Sequence, residues 1–401
     1  MKTPQLLAVF SAALKLGLTS FGGPIAHLGY FERSYVRDLR WLTHAELTEL
    51  IALCQVLPGP TSSQVGFLIG QRRAGLAGAW LAWAGFTLPS ALLMFGYALW
   101  APAAASTALA PLLQGLKWVA VMVVTQAVWQ MAWRLCTTWL RGGIAAVAAL
   151  ALLLWPAASM PALTLIAGAV VGACLLRDAT DPAPEAARND EERASRRGPI
   201  ACGLFALLLL LSCTAARPQA LATLAALLYR AGSAVFGGGH VVLPLLHEAL
   251  VPAGWLGEDQ FLSGYGAAQA LPGPLFAFAA YIGAAAVPGG ATAPTIAAAW
   301  AVVALLSLFL PGLLLALSAT WLWQRLRGHR LARAALAGVN AAVVGVLAAA
   351  LIRPVAASAV HGIADACFCI LGVLALQRWR LAPIIVVAAS VAASFALAGR
   401  L

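Results

Sequence analysis

A chain of 401 residues that is 62% apolar and only 10% charged cannot be a soluble multi-domain protein. Its runs at 75–100 and 294–323 exceed the roughly 20 apolar residues that span a bilayer, so the chain reads as an all-α polytopic membrane protein. The net charge of +11 comes from arginines in short loops, such as Arg325, Arg327, Arg330 and Arg333; it reports orientation in a membrane, and nucleic acid is not a partner.

The N-terminus carries one lysine and no small-residue cleavage site, which predicts a retained first helix over about 4–20, ending at Phe21-Gly22-Gly23. A partly polar stretch containing Trp41-Leu42 leads to a segment at 46–71 that is broken at Pro58-Gly59-Pro60. A long span follows at 75–100, with Pro89 inside it, and three more at 118–135, 143–155 and 161–176. Residues 177–199 hold six of the fourteen acidic residues and no large apolar side chain, the composition of a flexible cytoplasmic linker. An apolar segment at 200–213 has no counterpart earlier in the chain. Then the order repeats: a helix at 218–235 ending at Phe236-Gly237-Gly238, a segment at 260–286 broken at Pro272-Gly273-Pro274, a long span at 294–323 with Pro311, and spans at 331–352, 361–376 and 382–398.

The repeat is exact at several points. Gln55-Val56-Leu57-Pro58-Gly59-Pro60 returns as Gln269-Ala270-Leu271-Pro272-Gly273-Pro274, Trp41-Leu42 as Trp255-Leu256, and Ile69-Gly70 as Ile282-Gly283. The chain therefore divides into a first transporter repeat, 1–176, the linker 177–199, and a second repeat, 200–401. Loop charge separates the two. The loop 101–115 has no Lys or Arg while its counterpart 324–333 has four arginines, and the basic loop 134–141 corresponds to 353–360 with a single Arg. Equivalent loops facing opposite sides predict an inverted-topology repeat of about 10–13 membrane segments. Two alternatives stay open: the broken segments are re-entrant hairpins, with the Arg33, Arg37 and Arg40 loop inside but the extra segment upsetting the parity, or broken spans, with that loop outside.

Leu-Pro-Gly-Pro cannot continue a helix, because each proline lacks an N–H and restricts the residue before it. Unpaired backbone at membrane depth is tolerated only against protein or an aqueous cavity, so the two breaks are expected to face each other and a pocket. Pro60 suits the first turn of the helix that follows. Thr61, Ser62, Ser63 and Gln64 then present hydroxyls and free N–H groups at a positive helix end, an anion-binding arrangement. The equivalent Leu275, Phe276 and Ala277 offer backbone only, which makes the first break the expected principal contact.

Lys15 and Arg230 each lie six residues before their FGG motif and inside a span, where a charge is normally paired or functional unless it snorkels to the surface. Thr43 and Glu46 have capping-box spacing. Glu49, on the way to the break, and Asp365, within an apolar span that Asn340 matches in another, are candidate proton carriers. His27 and His240 flank the glycine turns and are candidate contacts. Seven cysteines are scattered through apolar segments with no CxxC or zinc spacing, Cys54 standing beside Gln55; no metal and no cofactor is expected.

These motifs resemble the chromate ion transporter family in its long, two-domain form. The match rests on Phe21-Gly22-Gly23-Pro24, on Gln55 with Leu57-Pro58-Gly59-Pro60, on the glycines at 70 and 75–78, and on Phe86-Thr87-Leu88-Pro89-Ser90, with degraded copies in the second half. The resemblance implies export of chromate from the bacterial cytoplasm across the inner membrane, driven by membrane potential or a proton gradient. Read from the residues, the candidate substrate contacts besides Thr61, Ser62 and Ser63 are Lys15, Phe21, Gly22, Gly23, Gln55, Pro58, Gly59, Pro60, Arg230, Gly237, Gly238, His240, Gln269, Pro272, Gly273 and Pro274. The second half departs from the pattern at Gly239 and at Leu275–Ala277, which argues against two equal sites. Expected partners are a chromate- or sulfate-like dianion and the lipid bilayer, with a homodimer admitted. A sulfate or other oxyanion carrier is the rival reading. A membrane redox enzyme lacks its haem histidines, flavin fingerprint or cysteine pairs, and an ATP-driven pump lacks a Walker A sequence, so no enzyme activity is expected.

Overall fold

Long alanine- and leucine-rich runs leave the backbone little choice but helix, since in lipid every N–H and C=O must be satisfied within the segment. The computed structural model describes residues 3–100, 110–155, 157, 160–176, 197–214, 220–236, 241–288, 293–326, 329–379, 381 and 383–398, and every regular element among them is a helix. The first half comprises α1 (Thr3–Thr19), α2 (Gly23–Phe31, running on into a π turn at Glu32–Asp38), α3 (His44–Val56), α4 (Thr61–Trp100), α5 (Ala110–Leu135), α6 (Trp139–Leu154) and α7 (Met160–Leu175). Next come α8 (Arg197–Ser212), α9 (Leu221–Ser233), α10 (Val242–Leu250), α11 (Glu258–Ala270), α12 (Phe278–Ala285, entered by a 3-10 turn at Leu275–Ala277) and α13 (Pro294–Leu326). The chain finishes with α14 (Arg330–Ala350), extended by a π turn at Leu351–Ala356 and the short α15 (Ala357–Ala359), then α16 (Ile363–Gln377) and α17 (Pro383–Ala398). The linker predicted at 177–199 lies outside the described residues up to 196, and helix α8 already begins at Arg197.

Four of these helices are long and apolar enough to cross a membrane: α4, α5, α13 and α14 with its extension. Their neighbours turn large apolar side chains outward, with Trp139 98% and Ile363 86% exposed, as a lipid-facing surface requires. The chain is a multi-pass membrane protein.

Two hairpins sit at the centre. In α4 the backbone leaves helical geometry at Ala74 and Gly75, where Gly75 takes φ +69°, and the helix folds back on itself as arms α4a (61–73) and α4b (76–100). The arms touch at Gly70 and Gly78, where a Cβ on Gly70 would collide with the carbonyl oxygen of Gly78. The Arg73 guanidinium lies over Trp41, 5.3 Å from the ring centroid, so the end of α4a meets the loop that precedes α3. Helices α3 and α4a are therefore the two arms of one hairpin with Pro58-Gly59-Pro60 at its tip. The second half repeats this: Trp255, just before α11, lies 6.3 Å from Trp300 near the start of α13, so α11 and α12 form a hairpin with Pro272-Gly273-Pro274 at its tip. Of the two alternatives left open by the sequence, the geometry is that of hairpins.

The remaining contacts fix the frame. Tyr97, near the end of α4b, packs 5.5 Å from Tyr281 of α12, whose hydroxyl donates to the Gln260 carbonyl 2.9 Å away. Leu315 and Ala319 of α13 cluster with Leu57, and Leu53 and Leu322 pack beside them. Helix α8 leans on α13, where Gly198 faces the Trp321 side chain. The outer helices close by small-residue contacts, Gly168 and Gly172 of α7 against Gly338 of α14, and Gly345 of α14 against Ala145 of α6.

Candidate functional site

The site begins where helices stop. Leu57 is extended and Gly59 takes φ +126°, a conformation proline-flanked glycine can hold and other residues cannot without strain. The Gly59 N–H donates to the carbonyl of Val235, 2.7 Å away in the other half, while the Gly273 N–H donates to the carbonyl of Ser20 at 2.8 Å. Val235 and Ser20 hold the same place in their halves, immediately before Phe236 and Phe21. Each hairpin tip is thus pinned to the end of the other half's first helix. It also lies against the other half's long helix: a Cβ on Gly59 would meet Gly312 Cα at 2.8 Å, and one on Gly273 would meet Ser90 Oγ at 2.8 Å. The glycine N–H groups of both tips are used in this reciprocal brace.

The two tips differ chemically. At the first, Gln64 is fully buried and turns its amide back, Nε2 donating to the Pro58 carbonyl (2.9 Å) and the Gly312 carbonyl (3.0 Å). The Pro60 carbonyl accepts the Gln64 N–H at 3.0 Å, so Pro60 is the capping residue and Thr61 opens the helix. Ser62 and Ser63 are buried and Thr61 half-buried. His27 Nδ1 lies 3.2 Å from Ser62 Oγ, and its ring stands edge-on to Phe86 with centroids 5.3 Å apart. The hydroxyls of Ser20, Ser63 and Thr87 and the Oε1 of Gln64 are buried with no partner among the described residues. A buried polar group left so costs about 1–3 kcal/mol, the mark of a place meant for something polar. At the second tip, Leu275, Phe276 and Ala277 are buried, and Phe276 packs edge-on against Phe309, itself against Trp83. That tip is an apolar plug.

A family model described as Chromate transporter matches residues 7–173 and 222–395, the two halves one after the other. The chain belongs to the chromate transporter family. It is 30% identical to the chromate transport protein of Pseudomonas aeruginosa over 88% of this chain and 81% of that one. To a probable chromate transport protein of Synechococcus elongatus it is 29% identical over 94% and 92% of the two chains. An uncharacterized transporter of Methanocaldococcus jannaschii matches at 23% over 87% and 84%. No solved structure matches the chain. The gap between the two matched regions contains α8, the segment without a counterpart.

The transporter places the other candidates unevenly. Phe21 and Gly23 are half-buried, and Gly22 and Gly23 take φ +98° and +76°, a turn only glycine makes readily. Gly237, Gly238 and His240 lie outside the described residues. Lys15 is exposed on α1 and Arg230 half-buried on α9, and neither makes an ion pair among the described residues. Gln55 is exposed, whereas Gln269 is half-buried beside Tyr265. Pro58 is half-buried; Pro272 and Pro274 are buried. Glu49 is half-buried within α3. Asp365 is not in mid-span: it sits in the first turn of α16, where Oδ2 accepts the His361 N–H at 2.8 Å, as a short acid at a helix start does. Thr43 and Glu46 form the predicted capping box. Among the described residues no three metal-ligating side chains converge.

Sequence reasoning missed four ion pairs. Lys117 on α5 is buried and its Nζ lies 2.6 Å from Asp259 Oδ1 at the start of α11. Next to it, His247 Nε2 of α10 lies 2.9 Å from Glu258 Oε2. The same two positions in the first half carry the opposite residues: Glu32 Oε1 lies 3.7 Å from His44 Nδ1. The Arg37 guanidinium beside Glu32, bonded at 2.8 Å, holds that carboxyl below the usual carboxylate range. Lys117 had a signal, a lysine within an apolar span, but it stands outside the repeated motif.

Proposed function

We propose that this chain is a secondary transporter that exports chromate from the bacterial cytoplasm across the inner membrane, driven by the membrane potential or a proton gradient. The observation that carries this reading is that the hydroxyls of Ser63, in the first turn of α4, and of Ser20 and Thr87 are buried with no partner among the described residues. A helix start offers free N–H groups and a positive dipole end, and hydroxyls donate to an oxyanion without any change of protonation. Thr61 and Ser62, in the same first turn as Ser63, are proposed to join it in holding the anion, with Phe21–Gly23 and the Pro58–Pro60 and Pro272–Pro274 breaks as further contacts. The names of the relatives favour chromate as the cargo; sulfate, of the same charge and shape, is the alternative. Glu49 and Asp365 are the proton-carrying candidates. The decisive assay is chromate uptake into everted membrane vesicles, taken up in the Discussion.

In the same reading, 1–176 and 200–401 are inverted repeats joined by the cytoplasmic linker 177–199. Support comes from where the long helices begin and end. Helix α4b leaves the open end of the first hairpin at Gly75 and reaches the second at Tyr97, beside Tyr281 and the Gln260 carbonyl. Helix α13 leaves the open end of the second hairpin at Trp300 and runs past Leu57 toward Leu53. Hairpins entered from opposite faces fit both paths. Arg33, Arg37, Arg40, Arg72 and Arg73 then share a face with Arg325, Arg330 and Arg333, the cytoplasmic one by loop charge. Helix α8, starting beside Trp321, carries the chain across once more, so the extra segment produces the inversion. Single cysteines placed in the 101–115 loop of a cysteine-free variant should be labelled from outside, and those in the 324–333 loop should not. Labelling of both loops from one side sinks the inverted arrangement.

Lys15 and Arg230 are proposed to neutralise the dianion as it passes. Lys15→Gln or Arg230→Gln should lower transport far more than Arg72→Gln or Arg73→Gln at the hairpin turn. Equal, mild losses at all four would make Lys15 and Arg230 surface charges that snorkel.

A further inference from the structure

Away from the hairpin tips, a cavity of about 280 Å³ opens between the ends of α6, α7, α10 and α14. It is smaller than the ~300–1,000 Å³ typical of drug-sized ligand sites, so it suits a headgroup-sized molecule. Its walls are mostly apolar, Leu152, Leu153, Pro161 and Val346 among them, but Glu248 and Arg353 also line it. These two opposite charges share one cavity and do not pair, within 4 Å, with each other or with any described residue. His247 lines the cavity too, but its ring is held by Glu258 at 2.9 Å. Glu248 is half-buried and Arg353 exposed, so both charges are open to a ligand that enters the cavity from the membrane side.

We infer that this cavity holds the headgroup of a phosphatidylethanolamine molecule, with its phosphate on Arg353 and its ammonium on Glu248. The ligand must carry both charges, set apart, because the protein supplies one of each and does not close them on each other. A dianion such as the transported one would be repelled by Glu248, and a glycerol headgroup could donate its hydroxyls to that carboxylate but brings no positive charge to neutralise it. A quaternary choline has no N–H to donate to it. The position fits a lipid as well: Leu154 and Trp155, at the end of α6 beside the cavity, are 65% and 64% exposed, and an exposed Trp at a helix end suits a membrane interface. The inference rests on the chain being a multi-pass membrane protein and not on which anion it carries.

The shared chemistry is a phosphate–ammonium zwitterion, which a lipid or soluble phosphoethanolamine could supply, and the test separates them. Native mass spectrometry of the full-length protein in micelles doped equally with phosphatidylethanolamine, phosphatidylcholine and phosphatidylglycerol should show about tenfold preferential retention of the first. Glu248→Gln, which keeps the shape, should remove the preference over phosphatidylglycerol. Arg353→Gln should lose both lipids, and Arg378→Gln, an exposed cation at the end of α16, should change nothing. Ala349→Leu, which fills the cavity and leaves both charges in place, should also lose the lipid, and it stands in if a charge variant fails to fold. Calorimetry on lipid-stripped protein should show phosphoethanolamine binding at least a hundredfold more weakly than the lipid. An unchanged lipid ratio in Glu248→Gln and Ala349→Leu overturns the assignment. So does soluble phosphoethanolamine binding as tightly as the lipid, which would make the occupant a soluble zwitterion.

Discussion

Gly59→Ala and Gly273→Ala should each remove most of the folded, transporting protein, a larger loss than any other single substitution considered. Gly59 takes φ +126° and Gly273 φ +93°, and a side chain held there costs about 1–3 kcal/mol in backbone strain alone. Space adds to this. The new Cβ on Gly59 would stand 2.8 Å from Gly312 Cα, which is backbone and cannot swing away. On Gly273 it would meet Ser90 Oγ at 2.8 Å and the Phe86 carbonyl oxygen at 3.2 Å. Either shift pulls a tip off the carbonyl that braces it, Val235 or Ser20. Together these are a large part of the ~5–15 kcal/mol that separates a typical native state from its unfolded chain. Gly29→Ala and Gly96→Ala are the controls: nothing lies within 4 Å of either new Cβ, and both sit in helices, where alanine is preferred. Folded yield by size-exclusion fluorescence would show the difference. Wild-type yield and transport from Gly59→Ala would mean that the brace does not hold the tips.

Ser63→Ala should leave the fold intact and cut anion affinity at least tenfold. The Ser63 hydroxyl is buried and has no partner among the described residues, so its removal takes none of their hydrogen bonds from the unliganded state. A bond to a charged acceptor is worth roughly 1.5–3 kcal/mol, and about 1.4 kcal/mol is tenfold in binding. Thr61→Ala combined with Ser62→Ala should act the same way on affinity, with some cost to the contact between Ser62 and His27. Phe276→Ala at the other tip should do the reverse. It empties a fully buried ring site against Phe309, which costs about 3–5 kcal/mol of stability, and leaves affinity at matched fold stability unchanged. Calorimetry with chromate and thermal unfolding, run on the same preparations, separate the two. Should Phe276→Ala lose affinity while Ser63→Ala keeps it, the site belongs to the other tip.

Much of the architecture was legible because membrane helices advertise their length, and because duplicated motifs mark equivalent places without any knowledge of contacts. The glycine turns at Gly22 and Gly23, the capping box at Thr43 and Glu46, and the chemical difference between Thr61–Ser63 and Leu275–Ala277 all follow from residue type alone. What stayed hidden depends on contacts between distant segments. Hairpin or broken span is decided by Arg73 lying over Trp41, a pair 32 positions apart with no local signature. The prolines announced unsatisfied backbone, but that Gly59 and Gly273 would give their N–H groups to Val235 and Ser20 is a fact of packing. Lys117 was passed over since comparison of the halves highlights what recurs, and this lysine does not. The pairs Glu32 with His44 and His247 with Glu258 escaped the same comparison because the residues are exchanged, so only the interaction recurs.

The central claim is that this chain carries a tetrahedral dianion outward. Everted membrane vesicles expose the cytoplasmic face, so chromate uptake into them, with and without an imposed proton gradient and with excess sulfate as competitor, tests it directly. The account predicts gradient-dependent uptake with the wild type, inhibition by sulfate, and uptake at least tenfold lower at sub-saturating chromate with Ser63→Ala at equal protein level. Uptake that matches empty vesicles, or that is the same for wild type and Ser63→Ala, would contradict it.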